Sequence, residues 1–314
     1  MIYTKGQIKL HRQFISNKAL LMGNLFDDDF VLELSKAGRH RDNVNLTHFP
    51  TRYFGFSVFW HLRTIGEIAP GVVGEAGFWK NGWHLDTKGL WNKSQLNEAN
   101  EYIRSYEPPV SGILDKIKGN RKYEPELWHE VEDYDEWKDV VLVTQKSGDT
   151  SIDVVGGYWD FIRKACAYYG DRLLLKAHPK HSATDREDTK EIIKGTGAKY
   201  GTLQDLDGCE FALLFNSTIS GELFVKNIPI VQYAKGYFHN LDAIHFTDGD
   251  VRPPKLRDTK VIAEKTAEFL LWKYCIRPFR GKDDVENFTD MLLEFANSED
   301  EFPLLEKYSY ASSL

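Results

Sequence analysis

Four short runs of apolar residues, spaced through the second half of the chain, limit its fold more than any other feature. They are Val140–Val143, Leu173–Leu175, Phe211–Phe215 and Ile228–Val231. A strand with one wet face alternates apolar and polar residues; an unbroken apolar run bounded by polar residues suits a strand covered on both faces. Between the runs lie helical segments. Asp153–Tyr169 places Val154, Phe161, Ile162 and Ala165 on one side and stops at Gly170. Asp185–Lys194 stops at Gly195, and Ser217–Lys226 precedes the fourth run. Strands alternating with helices at this spacing predict βαβ units and a parallel sheet. Thr259–Tyr274 and Val285–Phe295 are expected closing helices.

The first half is less regular. Ala19–Asn24 reads as a buried strand, followed by the acidic triplet Asp27–Asp29, and Asn43–Thr47 alternates like a strand. Thr51–Trp91 is rich in glycine and aromatics and supports no firm element; it suits an aromatic-lined surface or a compact, loop-rich domain. Residues 96–105 and 110–117 have helical character. The stretch Tyr123–Lys138 carries Glu124, Glu126, Glu130, Glu132, Asp133, Asp135 and Glu136, and reads as a solvated linker. A length of 314 residues fits two domains. The expected division is 1–137, then 138–290 as a nucleotide-binding Rossmann-like domain, with 291–314 a helix or tail packing back on the first domain.

The net charge of −7 weighs against a protein that grips long duplex DNA, though a local basic cleft remains compatible with it. Cys166, Cys209 and Cys275 are far apart, with no CxxC, and are expected as buried thiols in a reducing compartment. Residues 1–10 lack the apolar core of a signal peptide, and no stretch approaches the roughly 18 apolar residues of a membrane span. The expectation is a cytoplasmic protein without a transmembrane segment, peripheral membrane contact staying open.

Ligands of open α/β sheets bind beyond the carboxyl ends of the strands. After the first run, Thr144-Gln145-Lys146-Ser147-Gly148-Asp149 offers hydroxyls, an amide and a cation; its plain alternative is a polar turn. After the second, Lys176-Ala177-His178-Pro179-Lys180 places a histidine before proline, so its ring lies in an extended turn among cations suited to a phosphate. Its plain alternative is a structural histidine. After the third, Asn216-Ser217-Thr218-Ile219-Ser220-Gly221-Glu222 supplies hydroxyls and a helix start that attract an anion, and Glu222 suits ribose hydroxyls; an ordinary N-cap is the alternative. The chain has no Walker loop, GxGxxG, zinc pattern or GxSxG elbow. In the first half, Glu75 and Asp86 sit in Gly-rich segments as candidate general bases or as simple turn residues.

These blocks resemble the capsule-polysaccharide biosynthesis proteins related to bacterial Kdo transferases. The likeness rests on Val141–Gln145 with Gly148-Asp149, on Leu174–Pro179, and on Asn216–Phe224 running into Asn227–Val231. Glu75-Ala76-Gly77-Phe78 and Leu85–Gly89 resemble further blocks of that family. The resemblance implies an α/β, GT-B-like architecture of two Rossmann-like domains facing a central cleft. It implies a glycosyltransferase moving a sugar from a nucleotide-sugar co-substrate to a glycan or related hydroxyl acceptor, with no metal and no tightly bound cofactor. Donor binding would use Gln145, Lys176, His178, Asn216, Ser217, Thr218 and Glu222. Catalysis would use His178 with Glu75 or Asp86, and acceptor binding the Trp and Tyr residues of the first domain. Ala76 stands where related Kdo transferases tend to carry Asp, so CMP-Kdo is not assumed as donor. The alternatives are a non-catalytic nucleotide- or glycan-binding partner in polysaccharide assembly or export, and a phage-type DNA-base glycosyltransferase.

Overall fold

The computed structural model describes residues 8–10, 56–60, 71–120, 122, 131–279 and 284–314. The strands expected at 19–24 and 43–47 lie outside them. The chain forms two compact units: residues 1–95, 106–117 and 268–314 make the first, and 96–105 with 118–267 the second. These units divide the chain differently from the expected boundaries. Residues 118–137 go with the second unit, and 268–290 join 291–314 in the first.

In the first unit, β1 (Ile8–Leu10), β2 (Phe56–Trp60) and β3 (Gly71–Ala76) pair in parallel, and β4 (Trp83–Asp86) runs antiparallel to β3. Further along, α1 (Asn100–Ser105) belongs to the second unit and α2 (Ile113–Ile117) to the first.

The second unit is built on a seven-stranded sheet. Its strands are β5 (Glu132–Tyr134), β6 (Val140–Val143), β7 (Leu173–Lys176), β8 (Lys199–Leu203), β9 (Phe211–Leu214), β10 (Ile230–Gln232) and β11 (His245–Phe246). The order is β11-β10-β9-β6-β7-β8-β5, and every pair is parallel. All four apolar runs supply strands here. Val140, Val141 and Leu142 are fully buried, as are Leu173–Leu175 and Ala212–Leu214. Each large apolar side chain so buried contributes about 1.5–3 kcal/mol.

Two expectations need correction. The helix expected over 153–169 is broken into α3 (Thr150–Val155) and α4 (Tyr158–Tyr169) by Gly156 and Gly157, whose φ values of 73° and 79° no helix contains. The acidic stretch is also not wholly a linker, because Glu132–Tyr134 is the edge strand β5. It docks on β8 where Gly201 leaves room: a Cβ there would lie 2.3 Å from the Glu132 carbonyl oxygen and 2.7 Å from the Tyr134 ring. The Thr202 hydroxyl donates to Asp133 at 2.6 Å. Charged residues on an edge strand discourage pairing with further chains.

The remaining helices are α5 (Ala183–Ile193), α6 (Ser220–Lys226), α7 (Lys260–Phe269) and α8 (Asp284–Asn297). After α7, a π turn at Leu270–Tyr274 leads into β12 (Cys275–Ile276), which pairs antiparallel with β4. α8 buries Phe288, Met291, Leu292 and Phe295, spaced three and four apart as one helix face requires. All three cysteines are buried free thiols, as expected, and burial pushes Cys166 and Cys209 up to about 12.

Candidate functional site

The strand order decides where a ligand of the second unit would sit. From β6 the chain winds through β7 to β8, then returns to the other side of β6 to begin β9, β10 and β11. This is the doubly wound order with β5 added outside β8. Its switch point, where the loops leaving β6 and β9 diverge, is the place such sheets bind ligands. The three polar blocks read from the sequence leave β6, β7 and β9. The loops after β7 and β9 flank the loop after β6, with strands spaced ~4.8 Å apart.

Two of the predicted site residues form the framework of this site. Gln145 and Asn216 are 6% and 4% exposed. Gln145 Nε2 donates to Asn216 Oδ1 at 3.1 Å, and the Asn216 backbone N–H donates to Gln145 Oε1 at 3.3 Å. Asn216 Nδ2 donates to the Ser151 carbonyl at 2.9 Å. The pair stitches the switch point together beneath its surface.

The Gln145 backbone is fixed as well. Its N–H donates to the Tyr158 hydroxyl at 2.7 Å, which returns a bond to the Gln145 carbonyl at 3.1 Å. His181 Nε2 meets the same carbonyl at 3.0 Å. A carbonyl only accepts, so His181 carries its proton on Nε2. Neutral His181 then accepts the Tyr200 hydroxyl at Nδ1, 3.0 Å away. His181 thereby ties the β7 loop to the β6 loop. From the sequence His181 is expected only as one of the groups, with Lys176 and Lys180, that make this turn cationic; its contacts instead make it a neutral tie between two loops.

His178 is half-buried, and its Nδ1 accepts the Lys180 backbone N–H at 3.0 Å. Burial, then the neighbouring His181, Lys180 and Lys176, pull its pKa down to about 4 against the opposing charge of Asp149. The ring is neutral at pH 7 with its proton on Nε2. It can donate a hydrogen bond, while cationic charge at this loop comes from Lys176 and Lys180. Lys176 ends β7, and its carbonyl accepts the Thr144 N–H at 3.1 Å and hydroxyl at 2.7 Å. Asp185 joins the same framework. Burial would raise its pKa, but hydrogen bonds from Ser147 and Ser182 hold it below the usual value.

Ser217 and Thr218 are half-exposed at the β9 tip. Lys122, which no sequence motif marks, donates from Nζ to Thr218 Oγ1 at 3.2 Å. Its backbone N–H donates to Glu222 Oε1 at 2.8 Å. Glu222, expected to hold a ribose, thus has one carboxylate oxygen on the chain itself.

In the first unit, Glu75 lies half-buried in β3, opposite His84 in register. Asp86 is completely buried. It accepts Lys88 N–H at 2.8 Å, Gly89 N–H at 2.8 Å, Gln95 N–H at 3.1 Å, Ser94 Oγ at 2.5 Å and Tyr274 Oη at 2.6 Å. Burial raises its pKa, opposed by these hydrogen bonds. Burial, then Asp86 itself, pushes the Tyr274 hydroxyl well above its usual value, so it stays a donor. Asp86 closes the turn after β4, and this burial with five donors is the arrangement of a structural carboxylate. Trp79, Trp83 and Trp91 are at most 4% exposed, so these aromatics are core and not the sugar-facing surface expected.

Among the described residues, no group of three or more His, Cys, Asp or Glu is placed to hold a metal ion, and no helix is long and apolar enough to cross a membrane. No protein-family model and no curated protein matches the sequence. Among solved structures, the chain is similar to KpsC. The β-Kdo 2,7 transferase of Thermosulfurimonas dismutans KpsC shares 12% identity over 80% of this chain and 90% of that one, with a TM-score of 0.47. The β-Kdo 2,4 transferase of the same KpsC shares 15% identity over 74% and 86%, with a TM-score of 0.43. S. aureus MnaA, in a structure with UDP, shares 12% identity over 98% and 93%, with a TM-score of 0.29.

Proposed function

We propose that the chain is a glycosyltransferase of GT-B type that takes a nucleotide-sugar on its second unit and transfers the sugar to a hydroxyl of a glycan or related acceptor. One observation carries this reading: the three sequence blocks that resemble capsule-type Kdo transferases leave β6, β7 and β9, around the switch point of a doubly wound sheet. In this reading Gln145 and Asn216 hold the site's shape. Neutral His178 donates from Nε2 to the donor's phosphate, Lys176 balances its charge, and the Ser217 and Thr218 hydroxyls complete the contacts. Glu222 orders the β9 loop through Lys122 and stays close to a ribose. With Asp86 occupied, Glu75 is the carboxylate that deprotonates the acceptor. Lysines and hydrogen-bond donors stabilise the leaving phosphate without a metal. The nucleotide-sugar is a co-substrate, with no resident cofactor.

Ala76 and the engagement of Asp86 favour a second reading, in which the chain binds a nucleotide or glycan without transferring sugar, as a partner in polysaccharide assembly or export. A ligand-detected NMR screen of nucleotides and nucleotide-sugars, followed by assays of donor hydrolysis and transfer, separates the two. The transferase reading expects turnover that His178→Ala lowers by roughly 10²–10³, the usual loss for one preorganised donor, with the fold intact. Binding without hydrolysis or transfer supports the second reading. No binding of any nucleotide or nucleotide-sugar at millimolar concentration refutes the transferase reading and leaves the second reading only as glycan binding.

A further inference from the structure

Three loops of the second unit meet on Asn216. Besides its bonds to Gln145 and Ser151, its Nδ2 reaches the Lys235 carbonyl at 3.4 Å. Gly236 packs against it so closely that a Cβ there would lie 2.9 Å from Asn216 Cβ. Lys146 follows Gln145, Ser217 follows Asn216, and Lys235 is held directly. These residues therefore gather at the carboxyl tips of β6, β9 and β10, three consecutive strands.

The inward and outward groups of these tips differ in kind. Gln145 and Asn216 point into the framework and are buried, whereas Lys146, Ser147, Gly148 and Lys235 are exposed. Turn donors facing inward are taken: Gln145 N–H by Tyr158, Ser147 N–H by Asp185 at 3.3 Å, and Asp149 N–H by the Lys146 carbonyl at 3.2 Å. Among the described residues, the backbone N–H groups of Lys146, Gly148, Ser217 and Thr218 have no protein acceptor, and neither the Lys146 nor the Lys235 ammonium has a carboxylate partner. Nearby carboxylates are engaged elsewhere. Asp149 accepts Ser151 N–H at 2.9 Å and Ser151 Oγ at 2.7 Å, and Asp185 accepts Ser182 Oγ at 2.8 Å. Two uncompensated cations with four unfilled amide donors form the environment that a phosphate ester satisfies, through charge-assisted bonds from several directions.

We infer that Lys146 and Lys235, on either side of the β9 tip, form a clamp for a phosphate or diphosphate ester, with the free N–H groups of 146, 148, 217 and 218 as its donors. The inference rests on the nucleotide-binding reading above and extends it. To the His178 and Lys176 contacts it adds two lysines outside the blocks that resemble the Kdo transferases, on the β6–β9–β10 side of the site.

Calorimetric titration with inorganic pyrophosphate, a nucleoside diphosphate and the matching nucleoside tests the clamp on the full chain. The proteins compared are wild type, Lys146→Met, Lys235→Met, the double variant and Lys199→Met, a control at the start of β8. The clamp expects each single variant to weaken both diphosphates roughly 5–20-fold, the scale of one charge-assisted contact. The double variant should weaken them further, with nucleoside affinity and melting temperature unchanged and Lys199→Met like wild type. Diphosphate affinity within two-fold of wild type in the double variant overturns the clamp while the nucleotide reading stands. Wild type that binds the nucleoside but neither diphosphate also overturns it. If wild type binds none of the three probes, the clamp and the nucleotide reading fall together.

Discussion

Replacing Asp86 with Ala separates a structural carboxylate from a catalytic one. The substitution leaves five donors in the first unit's interior without their acceptor: the N–H groups of Lys88, Gly89 and Gln95 and the hydroxyls of Ser94 and Tyr274. One orphaned buried donor costs about 1–3 kcal/mol. Five do not add in full, because water enters the space the carboxylate vacates. Removing one member of a buried charged network costs about 3–5 kcal/mol in total. At ~2–4 °C per kcal/mol for a domain of this size, the melting temperature should fall by about 6–20 °C. Asp86→Asn keeps the volume and one acceptor oxygen, and burial already disfavours the charge it removes, so it should cost clearly less than Ala. Urea unfolding followed by tryptophan fluorescence is a suitable assay, since Trp79, Trp83 and Trp91 are buried in the same unit. A variant with Ala at 86 that unfolds at the wild-type midpoint but loses all turnover would refute the structural assignment and restore the base role.

Further outcomes follow from the same geometry. His178 should titrate near 4 by NMR, against an ordinary value of 6.5. Because its folded pKa lies below the unfolded one, the unfolded chain binds more protons between these values. Stability should therefore decline as pH falls from about 6.5 to about 4, and His178→Gln should flatten that decline. Gly201→Ala places a Cβ against the Glu132 carbonyl and should cost about 1–3 kcal/mol, with faster amide exchange in β5; wild-type exchange there would contradict the close packing. Native Cys166 and Cys209, buried and with pKa values pushed up to about 12, should resist a thiol reagent at pH 8 until urea unfolds the second unit; rapid labelling of either would place it at the surface.

The core of the second unit was legible because a strand covered on both faces has only one kind of sequence available to it. Val140–Val143 and Phe211–Leu214 are buried at every position, and no helix or loop of four residues needs that. β5 and β8 were not legible. Glu132 and Asp133 on β5 are exposed, and Lys199 begins β8 exposed while Gly201 is chosen by the approach of a neighbouring strand. That constraint is tertiary, and the residue beside it in sequence carries no trace of it. The site shows the same division more sharply. Sequence places polar residues at a strand tip but does not say which way they face, and the two directions mean opposite things. Gln145, Asn216 and Asp86 turn inward, where each must satisfy its own hydrogen-bonding groups against other loops, and so they build the framework. Lys146 and Lys235 turn outward because burying an ammonium without a carboxylate costs more than any contact it would gain. A cation left outside by that energetic rule, at a tip whose amides are also unfilled, is where the chain's demand for an anion is greatest.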